Sequence, residues 1–408
     1  MKRIIIMPLL LLLLLPACKK NGTESYMLKF YGDAREDIGY SVAIASDGYI
    51  IGGQMDLIAR KNGFLTDSLS NKEMAVIKTD WDGNVKWKVS AGGKYDDMGS
   101  KIYQLSDGSI ICVGTLTDTL LVTRKKQVFA MKISSAGQIV WKKAYGGAGN
   151  QMGKDIAESG TGFLVLGTTD APSLSGADST GNIAGNTDLL ILSISDNGDF
   201  IESHPAGFSG NDEATAIKQD IDGRFIVLGT TDREIQGSGM ELNNLFVVRL
   251  REDGIQIGHN VIGTADDEYA SGLQILQDGY LIAGNVQVSP TSRQAYIVKL
   301  KRDIFHDPVE FIKKYTISKY STTVNAISQY TGGNYVVGGY IDANPGLRML
   351  VFEIGADGVP VDGKTVIKGS TADQTINDVV AGDDGYIIAV GRNTYEVNSM
   401  ISLLKFSF

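Results

Sequence analysis

The 408-residue sequence predicts an all-β protein, a seven-bladed β-propeller of four-stranded antiparallel blades closed by its own N-terminal strand. Three observations predict it. A tight turn followed by an apolar strand recurs seven times: "DGYIIGG" at Asp47, "DGSIICVG" at Asp107, "TGFLVLG" at Thr161, "DGRFIVLG" at Asp222, "DGYLIAG" at Asp278, "GGNYVVGG" at Gly332 and "DGYIIAVG" at Asp384. The six intervals between the turn glycines Gly48 and Gly385 average about 56 residues, a period that belongs to propeller blades among repeat architectures. The unit is also split between the chain ends. "MISLLKFSF" (Met400 to Phe408) stops after a third strand, and "SYMLKFYG" (Ser25 to Gly32) supplies the fourth. Pairing the two leaves no open sheet edge.

The elements follow in chain order. Lys2 and Arg3 lead into the apolar run Ile4 to Leu15, too short to span a bilayer, so residues 1–17 read as a signal peptide. "LPAC" around Cys18 resembles the lipobox of bacterial lipoproteins, which implies cleavage before Cys18 and its lipidation. A plain secretory signal with an incidental cysteine is the alternative, and the position of the box decides against it. Residues 18–24 are then a lipidated tether, and residues 25–408 a single domain.

Within a period, the second copy sets the pattern: strand a "SKIYQLS", strand b "SIICVGT", strand c "VFAMKIS" and strand d "QIVWKKAYGG". Asp82-Gly83, Ala136-Gly137, Asn197-Gly198, Asp253-Gly254 and Asp357-Gly358 occupy the c-to-d turns and suit two-residue hairpins, where positive φ is needed. Strand b is apolar throughout, as a strand covered on both faces should be. Strand d alternates, Val85, Trp87 and Val89 against Lys86 and Lys88, as an outer strand should.

Composition agrees with a large globular chain: 43% hydrophobic, 21% charged and rich in glycine. The net charge is −9, and it becomes more negative once Lys2 and Arg3 are removed. With no cluster of Lys and Arg able to neutralise a phosphate backbone, nucleic acid is excluded as a partner. Lipidation of Cys18 would leave Cys112 as the one remaining thiol, so no intrachain disulfide is expected and Cys112 reads as a buried, inert strand residue.

The repeat resembles one common in secreted and cell-envelope proteins of bacteria and archaea, D-G-G-Y-I-x-x-G, then V-x-K-x-D-x-x-G-x-x-x-W, then Y-G-G. "MAVIKTDWDGNVKW" (Met74 to Trp87) and "AYGG" (Ala144 to Gly147) carry the likeness, which covers essentially all of the mature chain. "KRDIFHDPVEF" departs from it by lacking the glycine turn. The resemblance implies the propeller and brings no catalytic residues, because the family is defined by architecture.

Several motifs imitate chemistry. "GVPVDGKT" (Gly358 to Thr365) matches the P-loop pattern, but the β-branched "VIKG" that follows aligns with strand d rather than with a phosphate-binding helix. "YGGAGNQMGKD" imitates a dinucleotide fingerprint with the wrong spacing. Neither nucleotide nor any other cofactor is therefore expected. Asp80 with Asp82, and Asp220 with Asp222, fall short of the six oxygens calcium wants and read as turn residues; no metal is expected. The acidic clusters Asp96-Asp97, Asp212-Glu213 and Asp266-Asp267-Glu268 recur in the d-to-a connections, which points first to turn capping and second to ligand contact. His204, His259 and His306 map to outer strands or c-to-d turns of different blades and should not converge. Asp155, Glu158 and Asp378 lie on or beside inner strands, and their spacing selects no catalytic pair.

The a-to-b and c-to-d turns share one face of such a ring, and the longer connections share the other. Loops 54–73 and 169–187 break the repeat there, either as function-bearing segments or as neutral insertions. Tyr95, Tyr269 and Tyr320, placed in d-to-a connections among carboxylates, are the leading ligand-binding candidates, followed by Arg60, Lys61 and Phe64. "DSL", "DTL" and "DST" make Ser68, Thr119 and Ser179 candidates for O-glycosylation. The expected function is non-catalytic: a monomeric, lipid-anchored cell-envelope module, on the periplasmic side of the outer membrane because Lys19 and Lys20 follow Cys18, that binds a glycan or an envelope protein. The alternative is an envelope hydrolase acting on glycans with channel-facing carboxylates.

Overall fold

The computed structural model describes residues 26–32, 36–57, 60–61, 64–65, 71–117, 125–147, 149–171, 186–232, 242–395 and 398–408. It is a ring of seven four-stranded antiparallel sheets, the predicted propeller. Strand a of each blade lies innermost: Ile38–Ala45, Met98–Gln104, Gln151–Ser159, Asp212–Gln219, Asp267–Ile275, Ser321–Gln329 and Gln374–Ala381 in blades 1 to 7. The ring closes as the split unit requires. Met27–Tyr31 is the outer strand of blade 7, paired from Met27 with Lys405 to Tyr31 with Ile401.

Strand b reads apolar because it is sandwiched: in blades 3 and 4 every residue of Gly162–Thr169 and of Phe225–Thr231 is buried. Strand d faces water on one side, and its buried face explains the tryptophans. Trp87 donates its indole N–H to Ser135 O of the next blade (3.2 Å), and Trp141 does the same to Asp196 O (3.0 Å). Each ring lies over the glycine of the neighbour's c-to-d turn, where a Cβ on Gly137 or Gly198 would come within 2.7 or 2.9 Å of it. These glycines therefore serve both a positive φ and a close inter-blade approach.

The turn geometry differs from the two-residue hairpins expected. Asp80 N–H donates to Asn84 O (2.9 Å) and Gly83 N–H to Asp80 O (3.2 Å), with a register shift between Lys78 and Thr79. Three residues thus form the loop, and glycine sits in the left-handed position that ends a type I turn, a second use of the Asp-Gly signal. The hairpin between Ala45 and Gly48 does hold two loop residues, Ser46 and Asp47.

Every inner strand also carries a bulge at one common place. Tyr40, Ser100, Lys154, Thr215, Ser271, Asn325 and Asn377 stand outside the pairing ladder of their own blades. Several tie their blade to the next: Ser100 donates to Gly153 O (2.9 Å), Asn325 to Ile376 O (2.7 Å) and Asn377 to Gly39 O (2.8 Å). The residue before the bulge is often glycine because backbone from the preceding blade meets it; a Cβ on Gly99 would lie 2.3 Å from Gly53 O.

The P-loop look-alike is confirmed as strand, since Pro360–Lys368 is the outer strand of blade 6. Among the described residues the one helical element is the short 3-10 turn Thr331–Gly333. Cys112 is fully buried in strand b of blade 2, and burial pushes its thiol up to about 12, so it stays protonated.

Candidate functional site

The bulges create the site, because a residue displaced from the ladder points its side chain into the central channel. All seven bulge residues line a cavity of about 480 Å³ there. From the bulges the lining extends to the ends of inner strands at Glu158 and Gln219, which places the cavity in the half of the channel nearer the tight-turn face.

Charge in this cavity is organised around two carboxylates. Asp155 accepts from its own strand at Ile156 N (2.8 Å) and from blade 4 at Ile217 N (2.9 Å). Asp378 repeats the arrangement with Val379 N (3.0 Å) and Val42 N of blade 1 (3.1 Å), and adds an ion pair with Lys101 Nζ (2.9 Å). Burial raises the Asp155 carboxyl above its ordinary range, opposed by the charge of Lys101. Burial works against the Lys101 ammonium, but Asp378 and Asp155 outweigh it and hold Lys101 above its usual value. Lys218 goes the other way, lowered by burial and then by repulsion from Lys101. Tyr103 reaches Glu158 at 3.3 Å on the same wall.

The acidic clusters act as turn caps. Asp97 accepts from Gly93 N (2.5 Å) and Thr117 N (2.7 Å), Asp212 from Phe208 N (2.6 Å), and Glu268 from Thr264 N (3.0 Å). Gln151 and Gln374 take the same role in blades 3 and 7 with Gly147 N and Ser370 N. Asp80 caps its own turn through Asp82 N (2.9 Å) and Asn84 N (2.7 Å). Asp220 joins blades 4 and 5 by holding Arg249 (3.2 Å), Tyr280 (2.5 Å) and Arg302. The histidines stand apart: His204 beside Glu202 (3.3 Å), His259 edge-on to Phe208 (4.6 Å) and His306 beside Asp303 (3.0 Å).

None of the three candidate tyrosines lines the central cavity. Tyr95 sits in the connection into blade 2, with Lys94 5.9 Å from its ring centre. Tyr320 enters blade 6 and packs against the core shared by blades 5 and 6. Tyr269 belongs to an inner strand rather than to a connection, because pairing already begins at Asp267. Its hydroxyl accepts from Asn243 Nδ2 (3.1 Å), and Arg293 lies 5.4 Å from its ring centre. Arg60–Lys61 and Phe64–Leu65 pair as a small ribbon in the first long loop. Cys18, Ser68, Thr119 and Ser179 lie outside the described residues. The channel lysines Lys101 and Lys218 escaped the sequence reading. The signal that could have found them is the recurring small residue two positions ahead of them in "GSK" (Gly99) and four ahead in "ATAIK" (Ala214).

Ring, bulges and polar channel together define the chain as a seven-bladed β-propeller. No family model matches it, and no curated protein matches it in sequence. Among solved structures it is similar to Raptor of Chaetomium thermophilum (TM-score 0.53, 11% identity), covering 94% of this chain and 29% of that one. It is similar to the Pan2 WD40 domain of Neurospora crassa (TM-score 0.50, 8% identity), covering 91% and 89%. A puromycin hydrolase gives TM-score 0.53 at 10% identity, covering 87% and 50%. The chain thus spans under a third of the Raptor chain and half of the hydrolase. At these identities the likeness is one of fold, shared by a WD40 domain and by a hydrolase alike.

Proposed function

We propose that the protein is a non-catalytic binding propeller of the cell envelope, lipidated at Cys18, whose long-loop face engages a glycan or an envelope protein. The observation that carries this reading is the condition of the channel carboxylates. Asp155 and Asp378 are each fixed by two backbone N–H donors from two blades, which makes them inter-blade ties. A carboxylate-pair hydrolase needs one carboxyl free to give a proton and another free to attack or to activate water. The hydrolase alternative draws on the raised Asp155, and those two donors stand against it.

The course of the chain supports the anchored arrangement. Met27 begins the closing strand opposite Lys405, at the tight-turn face, so a lipid upstream would hold that face towards the membrane and leave the long loops outward. Lys19 and Lys20 favour the periplasmic side of the outer membrane. On the outward face Tyr269 with Arg293 and Asn243 forms an amphipathic contact, and Tyr95, Tyr320, Arg60, Lys61 and Phe64 extend the candidate surface.

The test is a glycan and envelope-protein binding screen of residues 19–408. Saturable binding weakened by Tyr269→Ala, without turnover, is expected. Turnover of a polysaccharide that Asp155→Asn or Asp378→Asn abolishes would overturn the reading. Cys18→Ala should release the protein into soluble fractions, and unchanged membrane retention would refute the anchor. Intact mass of the native protein tests glycosylation at Ser68, Thr119 and Ser179, which would add hexose-sized increments beyond the acyl chains.

A further inference from the structure

We infer that the central channel binds a small hydroxylated carboxylate, an acidic monosaccharide in chemical class, with Lys218 taking the charge of the ligand. This rests on the binding reading above and adds a second surface to it, the channel instead of the long-loop face.

The cavity, at about 480 Å³, falls in the size range of small-molecule sites. The charges on its wall are paired, held by backbone N–H groups or, at Glu158, exposed to solvent beside the Tyr103 hydroxyl, with one exception. Lys101 pairs with Asp378, and Lys154 with Glu213 (2.9 Å), while Asp155 is held by backbone N–H groups. Among the described residues no carboxylate forms an ion pair with Lys218, although it lines the cavity and is half-buried. Burial first, and repulsion from Lys101 after it, lower its ammonium against the attraction of Asp155 and Asp378. A half-buried cation without a direct ion-pair partner is costly, and an incoming carboxylate reduces that cost.

The rest of the wall sets the ligand's other features. In blades 4 to 6 the bulge residues are Thr215, Ser271 and Asn325, neutral groups that suit hydroxyls, and Tyr40 and Tyr103 add ring surface. Asp155 and Asp378 repel a second negative charge, so a singly charged carboxylate fits and a phosphate dianion does not.

Isothermal calorimetry of residues 19–408 with glucuronate, glucose and inorganic phosphate tests this. Glucuronate should bind about tenfold or more tightly than either of the others, a spread typical of a charge-assisted contact. Lys218→Met should lose that preference, and Lys218→Arg should keep it. Because the bound carboxylate favours the charged amine, binding at alkaline pH should take up a proton. The measured heat then varies with the ionisation enthalpy of the buffer, and Lys218→Met removes this variation. Lys218→Met should melt no lower than wild type, since it deletes an unpaired charge. Equal affinity for glucuronate and glucose, phosphate binding as tight as glucuronate, unchanged binding by Lys218→Met, or no binding at millimolar ligand would each overturn the site. Loss of glucuronate binding alongside capture of an envelope ligand removes this inference alone, whereas carboxylate-dependent turnover removes the reading beneath it.

Discussion

Asp212 is buried at the junction of blades 3 and 4, where it takes the Phe208 N–H and faces Asp188. Burial first, and the charge of Asp188 after it, push its carboxyl up to about 7. A carboxyl raised in the folded state stabilises while protonated, and that contribution is lost as pH climbs from about 4, the unfolded value, through about 7. Burial moves Asp97 and Glu268 in the same direction, so the melting temperature should fall across this window. Asp212→Asn keeps an acceptor for Phe208 and removes the charge. It should gain roughly 1–2 kcal/mol at pH 8 and nothing at pH 4; melting curves at both pH values check this, and an unchanged fall in the variant would sink it. Asp220 behaves oppositely, because two guanidiniums and the Tyr280 hydroxyl depend on it. Asp220→Ala should cost about 2–3 kcal/mol in denaturant unfolding, because Arg302 loses its carboxylate and Tyr280 its acceptor while Arg249 keeps Asp222.

At the scale of the strand, the inner-strand bulge joins architecture to site. Its close inter-blade approach predicts that Gly99→Ala, which sets a methyl against Gly53 O, destabilises by about 2 kcal/mol or more, measurable as a lower urea midpoint. A midpoint within error of wild type would mean that the blades can part without penalty. The same element divides what the sequence reveals from what it hides. Strands b and d and the turn glycines were legible because apolar runs, alternation and positive φ each leave a local mark. A bulge leaves only the faint mark of a small residue before it, such as Gly99 or Ala214, since it exists relative to the partner strand's register, and Ser100 or Thr215 alone looks like any strand residue. Lys101 was illegible for a related reason: its partner Asp378 comes from the far end of the sequence. Tyr269 was misplaced because Asp266-Asp267-Glu268 reads as loop, whereas Asp267 and Glu268 already pair with strand b and Glu268 caps the turn behind it.

The ring as a whole depends on one short strand. Removing residues 19–32 takes away Met27–Tyr31 and uncovers the edge of Asn398–Phe406, with Leu28 and Met27 lost from the cores around it. The truncated protein should aggregate and melt lower than residues 19–408, read by size-exclusion chromatography and calorimetry. A truncated chain that melts like the longer one would mean that the ring does not rely on this closure. The closing strand also imposes an order in time. Blades 1 to 6 are each built from consecutive strands, so they can assemble as the chain emerges, neighbour upon neighbour. Met27–Tyr31 is made first yet has no partner until Ile401 to Lys405 exist. The first strand of the ring therefore waits unpaired while the other strands of all seven blades are made, and Ile401 to Lys405 decide when the ring can lock.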